Sequence, residues 1–259
     1  MICTGGEPWT EKPWKWLFQV IGKSKVPIMN SAGGTEVSGS ILHCCLHRPF
    51  KVGSFNAPIP GMSADILNLD GKKVSTNEMG ELVMRKSSIG LTKSLWNDDK
   101  RYIDNYWSVI KDYWVHGDLA SRDADGHWYL HGRSDDTIKV SGKRIGPSEL
   151  ESVIVKSGKA KEVAAVGIPD ENKGSKIILS IVPAENNDQK ESFFEDLVIK
   201  DLGKSFKPDK VIFVKDLPKT RNMKIMRRVI KSCLANQDPG DLSTLLNPES
   251  VEEIRSHAI

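Results

Sequence analysis

The sequence predicts a mixed α/β and α+β protein built from two domains. Three observations carry this. Residues 52–133 alternate short apolar runs with Gly, Pro and Asp-Gly turns, the texture of a β-rich subdomain. Beyond residue 146, apolar strands alternate with amphipathic helices, which makes a compact α+β unit with its own core. Between them lies "GRSDDTIKVSGKRIG", polar and glycine-bearing, as a boundary should be. The expected domains are 1–134 and 135–259.

The elements follow in order. "EKPWKWLFQVI" (11–21) reads as an amphipathic helix with Trp14, Leu17, Phe18 and Ile21 on one face. "VPIMN" is a short apolar strand running into the turn-rich loop "SAGGTEVSGS". "ADILNLDGKKV" and "GELVMRK" are strands with a turn at Asp70-Gly71. "YWVHGDLASRDADGHWYLHG" repeats that logic around Asp125-Gly126. In "PSELESVIVKSG", Pro147 suits a first helical turn and Gly158 a helix end. "VAAVGIP" and "KIILSIVPA" are strands, "DQKESFFEDLVIKDLG" a helix, "KVIFVKDLP" a strand and "KIMRRVIKSCLA" a helix. A last helix is expected after Pro248.

Bulk properties narrow the function. A net charge of +3 gives no reason to expect nucleic acid or a membrane surface as partner, and the basic 200–231 region reads as a solvated face. Four cysteines without a C-x-x-C pair argue against a disulfide framework. No apolar run approaches the ~20 residues of a membrane span. The start "MICTGGEPWTEKPW" lacks the basic flank and apolar core of a signal peptide, so the expected compartment is the cytoplasm. "HCCLH" would present His43 and His47 together on a helix, but no further ligand group lies nearby, and small buried cysteines are the alternative.

Standard phosphate loops are absent. "GKS" at 22–24 resembles the end of a Walker loop, but Leu17 stands where its first glycine is required. In "GGTE", two glycines allow close backbone approach to a ligand, Thr35 offers a hydroxyl, and Glu36 is a hard oxygen donor for Mg²⁺; an ordinary Gly-rich turn is the alternative. Asp118 and Arg133, expected in loops ending adjacent strands, could bind ribose hydroxyls or phosphate; a loop ion pair is the alternative. Lys224, in "LPKTRNMKIMRRVIK", stands where a helix could begin.

In order, "GGEP", "GGTE", "GD", "GRSDDTIKVSGKRIGPSELES", "PKTRNMKIMRR" and "GDLSTLLNP" resemble the AMP-forming acyl-CoA synthetases of the adenylate-forming superfamily. The resemblance covers essentially the whole chain. It implies a remnant of the large domain with a β-rich subdomain (1–134) and a complete small domain (135–259). It also implies a two-step reaction: a small carboxylic acid attacks the α-phosphate of ATP·Mg²⁺ to give acyl-adenylate, and CoA then displaces AMP. By the same resemblance, Gly6, Glu7 and Pro8 line the adenine. Asn30, Ser31, Ala32, Gly33, Gly34 and Thr35 wrap adenine and α-phosphate, and Glu36 holds Mg²⁺. Asp118 and Arg133 bind ribose, and Arg144 reaches phosphate. Ser141 and Gly142 lie along the CoA path, Asp135 is the hinge, and Lys224 is the adenylation lysine.

The sequence also departs from the family pattern. Acetate-specific members carry Trp where Gly33 stands and a branched residue where Gly5 stands, so the resemblance implies an acyl group longer than acetyl. The Ser/Thr/Gly-rich pyrophosphate loop has no counterpart here, which implies a separate N-terminal half or an inactive fragment. Met223 replaces the usual Gly before the lysine. That predicts a stiffer loop, or another backbone route to the working position.

Overall fold

In the computed structural model, which describes residues 1–185 and 188–259, the chain forms two compact units, Met1–Ser134 and Asp135–Ile259.

The first unit opens with strand β1 (Ile2–Gly5) and helix α1 (Glu11–Trp16). Helix α1 continues as a π-helical turn over Leu17–Ile21. Wider π turns rotate later residues out of the face expected from a 3.6 period. Trp14 is buried and stacks on Phe18, and Leu17 is half-buried, but Ile21 is more than half exposed, so the apolar face expected for 11–21 holds as far as Phe18 and is lost at Ile21. Strand β2 (Ile28–Gly34) pairs in parallel with β1, Ile2 opposite Ile28 and Gly5 opposite Ser31. It runs through the glycine pair that the sequence placed in a loop. The reason is strand β3 (Gly39–His43), which turns back antiparallel through a 3₁₀ turn at Thr35–Val37. Strand β4 (Ala57–Pro58) completes the sheet in the order β1-β2-β3-β4. His43 therefore ends a strand rather than sharing a helix face with His47. Cys44 is buried against the Ser54 carbonyl, and no group of three or more His, Cys, Asp or Glu able to hold a metal occurs among the described residues.

The second sheet of this unit is antiparallel. Strands β5 (Ala64–Leu67) and β6 (Gly80–Met84) precede helix α2 (Asp99–Tyr106), whose Asp98 side chain accepts from the Arg101 N–H. Strands β7 (Trp114–Arg122) and β8 (Trp128–Arg133) follow. Gly71 and Gly126 take the positive φ values, 75° and 83°, that their Asp-Gly turns require. Ile41, Leu42, Leu82, Met84, Trp114 and Trp128 form the core, each 3% exposed or less.

The second unit starts with a hairpin of β9 (Ile138–Val140) and β10 (Lys143–Ile145). Helix α3 (Pro147–Lys156) has Pro147 in its first turn, and Glu149 reaches back to the Gly146 N–H at 3.3 Å. Strands β11 (Ala160–Asp170) and β12 (Gly174–Pro183) are antiparallel neighbours. Helix α4 (Glu191–Leu202) then crosses over to β13 (Lys210–Phe213), parallel to β12. Both faces of the sheet are covered, which is why its strands read as continuous apolar runs. Ile177, Leu179 and Ile181 face Leu150, Ile154, Phe194 and Val198 on α3 and α4. Ile178 and Val182 face Val229, Ile230, Val251 and Ile254 on α5 (Arg227–Leu234) and α6 (Glu249–Arg255). Each fully buried side chain of this kind contributes about 1.5–3 kcal/mol. Among the described residues no helix is long and apolar enough to cross a membrane.

Candidate active site

In the first unit, parallel pairing of β1 with β2 sets two expected nucleotide loops side by side. Gly6, Glu7 and Pro8 leave the C-terminal end of β1, with Gly6 at φ 104°, and Asn30 to Gly34 form the matching end of β2. Ligands of α/β sheets bind outside the carboxyl ends of their strands. Thr4 and Asn30 are register partners; the Thr4 hydroxyl donates to Asn30 Oδ1 at 3.3 Å and accepts from Trp9 Nε1 at 3.0 Å. Asn30 is 2% exposed, and its Nδ2 has no hydrogen-bond partner among the described residues.

Asp118 and Arg133 are not in loops. Asp118 lies inside β7 and Arg133 is the last residue of β8, and the two are direct register partners. Arg133 Nη1 donates to the His116 carbonyl at 3.0 Å and lies 3.6 Å from Asp118 Oδ1. Gly117 makes this possible. It has φ 83°, and a Cβ there would sit 2.6 Å from Arg133 Nη2. Gly117→Ala is therefore expected to displace the guanidinium and to cost about 1–2 kcal/mol of backbone strain. A thermal melt and an AMP titration check both effects; unchanged AMP affinity would contradict the placement of Arg133.

Three further residues, His116, Tyr106 and Trp114, join this cluster without having been singled out by any motif. His116 Nε2 lies 3.3 Å from Asp118 Oδ2. The Tyr106 hydroxyl donates to Glu36 Oε1 at 3.0 Å. Burial, with Glu36 as neighbour, pushes the Tyr106 pKa up to about 12, so it stays a donor. Trp114 stacks on Tyr106 with ring centroids 5.3 Å apart and planes 2° from parallel. Glu36 Oε2 and His116 Cε1 both border Gly34, where a Cβ would lie 2.9 and 3.2 Å from them. Gly34, Glu36, His116, Asp118 and Arg133 thus form one contiguous site. Tyr106 and His116 lie far in sequence from Glu36, so only tertiary structure reveals them.

Gly33 changes the reasoning about room. A Cβ there would meet the Gly39 carbonyl at 2.1 Å and Ser40 Cα at 2.5 Å. At Gly5 a Cβ would meet the Ser31 carbonyl at 2.8 Å. Backbone stands directly beside both glycines, so neither position accepts a Cβ without a shift of its neighbours.

The second unit holds Lys224. The sequence placed it at a helix start, but α5 begins at Arg227. Lys224 sits on a hairpin instead. Met223 N–H donates to the Thr220 carbonyl at 2.8 Å, Thr220 N–H donates to the Lys224 carbonyl at 2.9 Å, and Lys219 pairs with Ile225. This is a three-residue loop whose last residue, Met223, takes the left-handed conformation at φ 63°. The glycine-type backbone is kept without the glycine, so no alternative route is used. Met223→Gly is expected to raise the stability of this unit by about 0.5–1 kcal/mol, since a left-handed L-residue costs more than glycine's extra chain entropy. Urea unfolding measures it; a loss would mean the Met side chain packs usefully, although it is 60% exposed.

The hairpin is held from below. Lys219, 6% exposed, donates to Asp216 at 2.6 Å and pairs with Glu162 at 2.7 Å. Asn247 accepts from Lys219 N–H and donates to Asp216 and the Leu217 carbonyl. Elsewhere in this unit, Ser141 and Gly142 form the β9–β10 turn with φ 49° and 80°, Arg144 is exposed on β10, and Asp135 is exposed at the unit's first position.

Two family models match the chain: "AMP-binding enzyme" over residues 1–96 and "AMP-binding enzyme C-terminal domain" over residues 149–224. The acetyl-coenzyme A synthetase of Methanothrix thermoacetophila is 37% identical over 98% of this chain and 40% of its own length. That of Helicobacter pylori (strain P12) is 38% identical over 99% of this chain and 41% of its own length. The chain therefore spans about 40% of the length of these relatives. Among solved structures, the acetoacetyl-CoA synthetase from Streptomyces lividans superposes on 98% of this chain and 40% of that one, with TM-score 0.84 and 22% identity, a likeness of fold. The anthranilate CoA ligase AuaEII, in complex with anthranoyl-AMP, covers 87% of this chain and 42% of that one, at TM-score 0.72 and 25% identity. The chain belongs to the AMP-binding enzymes, the adenylate-forming superfamily that includes the AMP-forming acyl-CoA synthetases, and represents their C-terminal portion.

Proposed function

We propose that the chain supplies the ribose-binding face, the Mg²⁺ ligand and the adenylation lysine of an AMP-forming acyl-CoA synthetase. The observation that carries this is the cluster of Asp118 and Arg133 beside Gly34 and Glu36. A carboxylate accepts hydrogen bonds from ribose hydroxyls, and a guanidinium donates to hydroxyl or phosphate oxygens. Gly6, Glu7 and Pro8 line the adenine, and Asn30 to Thr35 wrap it and the α-phosphate. Arg144 reaches phosphate, Ser141 and Gly142 guide CoA, and Asp135 is the hinge.

Glu36 fits a Mg²⁺ ligand. Its Oε1 is fixed by Tyr106, while Oε2 faces the glycine loop. One protein carboxylate with substrate phosphates and waters suits Mg²⁺, whose charge would neutralise the phosphates when bound. Lys224 holds the substrate carboxylate and α-phosphate together and screens the charge that builds at the attacked phosphorus. CoA thiol then attacks the acyl carbonyl, and AMP leaves.

The acyl group in this reading is longer than acetyl, because glycines stand at 5 and 33, where acetate-specific members carry a branched residue and Trp. The test is ATP–pyrophosphate exchange with acetate, butyrate and hexanoate, using the chain alone and with the remaining part of the large domain supplied. Exchange only in the supplemented sample, favouring butyrate or hexanoate, is expected. An acetate preference overturns the chain-length reading, and exchange by the chain alone overturns the need for an N-terminal partner. A second reading, a non-catalytic nucleotide-binding module, is favoured by the edge position of β1 and the exposure of Trp16, Val20 and Ile21, a surface suited to a partner. AMP binding without exchange in either sample would select it.

A further inference from the structure

His116 belongs to no role assigned so far, yet it sits at the centre of the first unit's site. It is 6% exposed on β7. Its ring lies 5.5 Å from that of Trp114 and borders Gly34 on its other side. Nε2 lies 3.3 Å from Asp118 Oδ2, whereas Nδ1 is buried with no hydrogen-bond partner. A neutral imidazole carries one N–H, and the proton belongs where an acceptor waits, on Nε2. Asp118 is then gripped at both oxygens, with His116 on Oδ2 and Arg133 beside Oδ1.

We propose that His116 is a positioning residue, a neutral Nε2–H donor that sets the plane of the Asp118 carboxylate for recognition of the ribose hydroxyls of the nucleotide. This rests on the ribose role proposed for Asp118.

The neutral form matters. Burial lowers the His116 pKa; the Asp118 and Glu36 carboxylates and the Gly33 carbonyl oppose this and Arg133 adds to it, and burial prevails. A neutral donor orients the carboxylate without adding a second positive charge to that of Arg133, so more acceptor strength remains for ribose. Two-sided fixing also lowers the ordering cost of binding, since the carboxylate meets the ligand already in place. Were His116 charged, it would compete with the ribose hydroxyls for the same oxygens.

The experiment compares AMP with 2′,3′-dideoxy-AMP as ligands of the full chain by calorimetry. Wild type should prefer AMP by on the order of tenfold, the value of a hydrogen bond to a charged group. His116→Ala should lose most of that preference while dideoxy-AMP binds as before, and His116→Gln, which keeps an N–H donor, should restore it. Thermal melts of both variants report folding. Equal loss for both nucleotides, or an intact preference in His116→Ala, overturns the proposal while leaving the nucleotide reading standing. Failure of wild type to bind AMP overturns the nucleotide reading itself, and the ribose role of His116 with it.

Discussion

Lys224→Ala, in a completed enzyme, is expected to lower acyl-adenylate formation by on the order of 10²–10³ while sparing thioester formation from supplied acyl-adenylate. The asymmetry follows from charge. Adenylation brings an anionic carboxylate to an anionic phosphate, and a fixed cation lowers that barrier. The thioester step starts from an adenylate that is already joined. The structure adds why this lysine, among many nearby cations, is the candidate. It makes no ion pair among the described residues, whereas Lys219 is buried with Asp216 and Glu162, and Arg227 with Glu151. Its backbone is fixed by the hairpin and by Thr220 Oγ1, which accepts from the Lys224 N–H at 3.2 Å. The end of the chain secures the same hairpin: Leu246 N–H donates to the Lys219 carbonyl and Arg221 N–H to the Thr244 carbonyl. Rates of both half-reactions, measured separately, decide the matter. Equal loss in both would remove Lys224 from the adenylation role.

Legibility in the sequence tracked how local the determining physics was. The second unit was readable because its strands are buried on both faces and its helices carry local end signals, such as Pro147 and Gly158. Asp118 and Arg133 were picked out as residues but set in loops, since Gly117 interrupts the alternation that marks a strand. The helix at 11–21 was half readable. A π turn leaves no periodic trace, so the expected face failed at Ile21. Lys224 was misplaced for a simple reason. Its loop needs a left-handed residue, and Met223, which fills that position, carries no local turn signal of its own. Tyr106 shows the limit most clearly, since its partner Glu36 lies 70 residues away on another element.

The pair that anchors the helix after Lys224 gives the second large expected effect. Arg227 Nε and Nη2 bind Glu151 at 2.9 and 2.8 Å, and Glu151 Oε1 also accepts from the Ala165 N–H at 2.9 Å. The side chains are 16% and 12% exposed, so α5, α3 and β11 meet at a nearly dry, bidentate contact. Glu151→Ala should destabilise the second unit by about 3–5 kcal/mol, because it removes the bidentate partner of a buried guanidinium and the acceptor of the Ala165 N–H together. The double variant Glu151→Leu with Arg227→Met should recover much of that loss, since a well-packed apolar pair avoids desolvating two charges. Chemical denaturation of the single and double variants measures both. A small loss in Glu151→Ala would mean that water reaches the site. The double variant then separates two roles. If it is stable yet adenylates poorly in the completed enzyme, the ion pair sets the register of α5 and hence the placement of Lys224. If it adenylates normally, the pair serves stability alone.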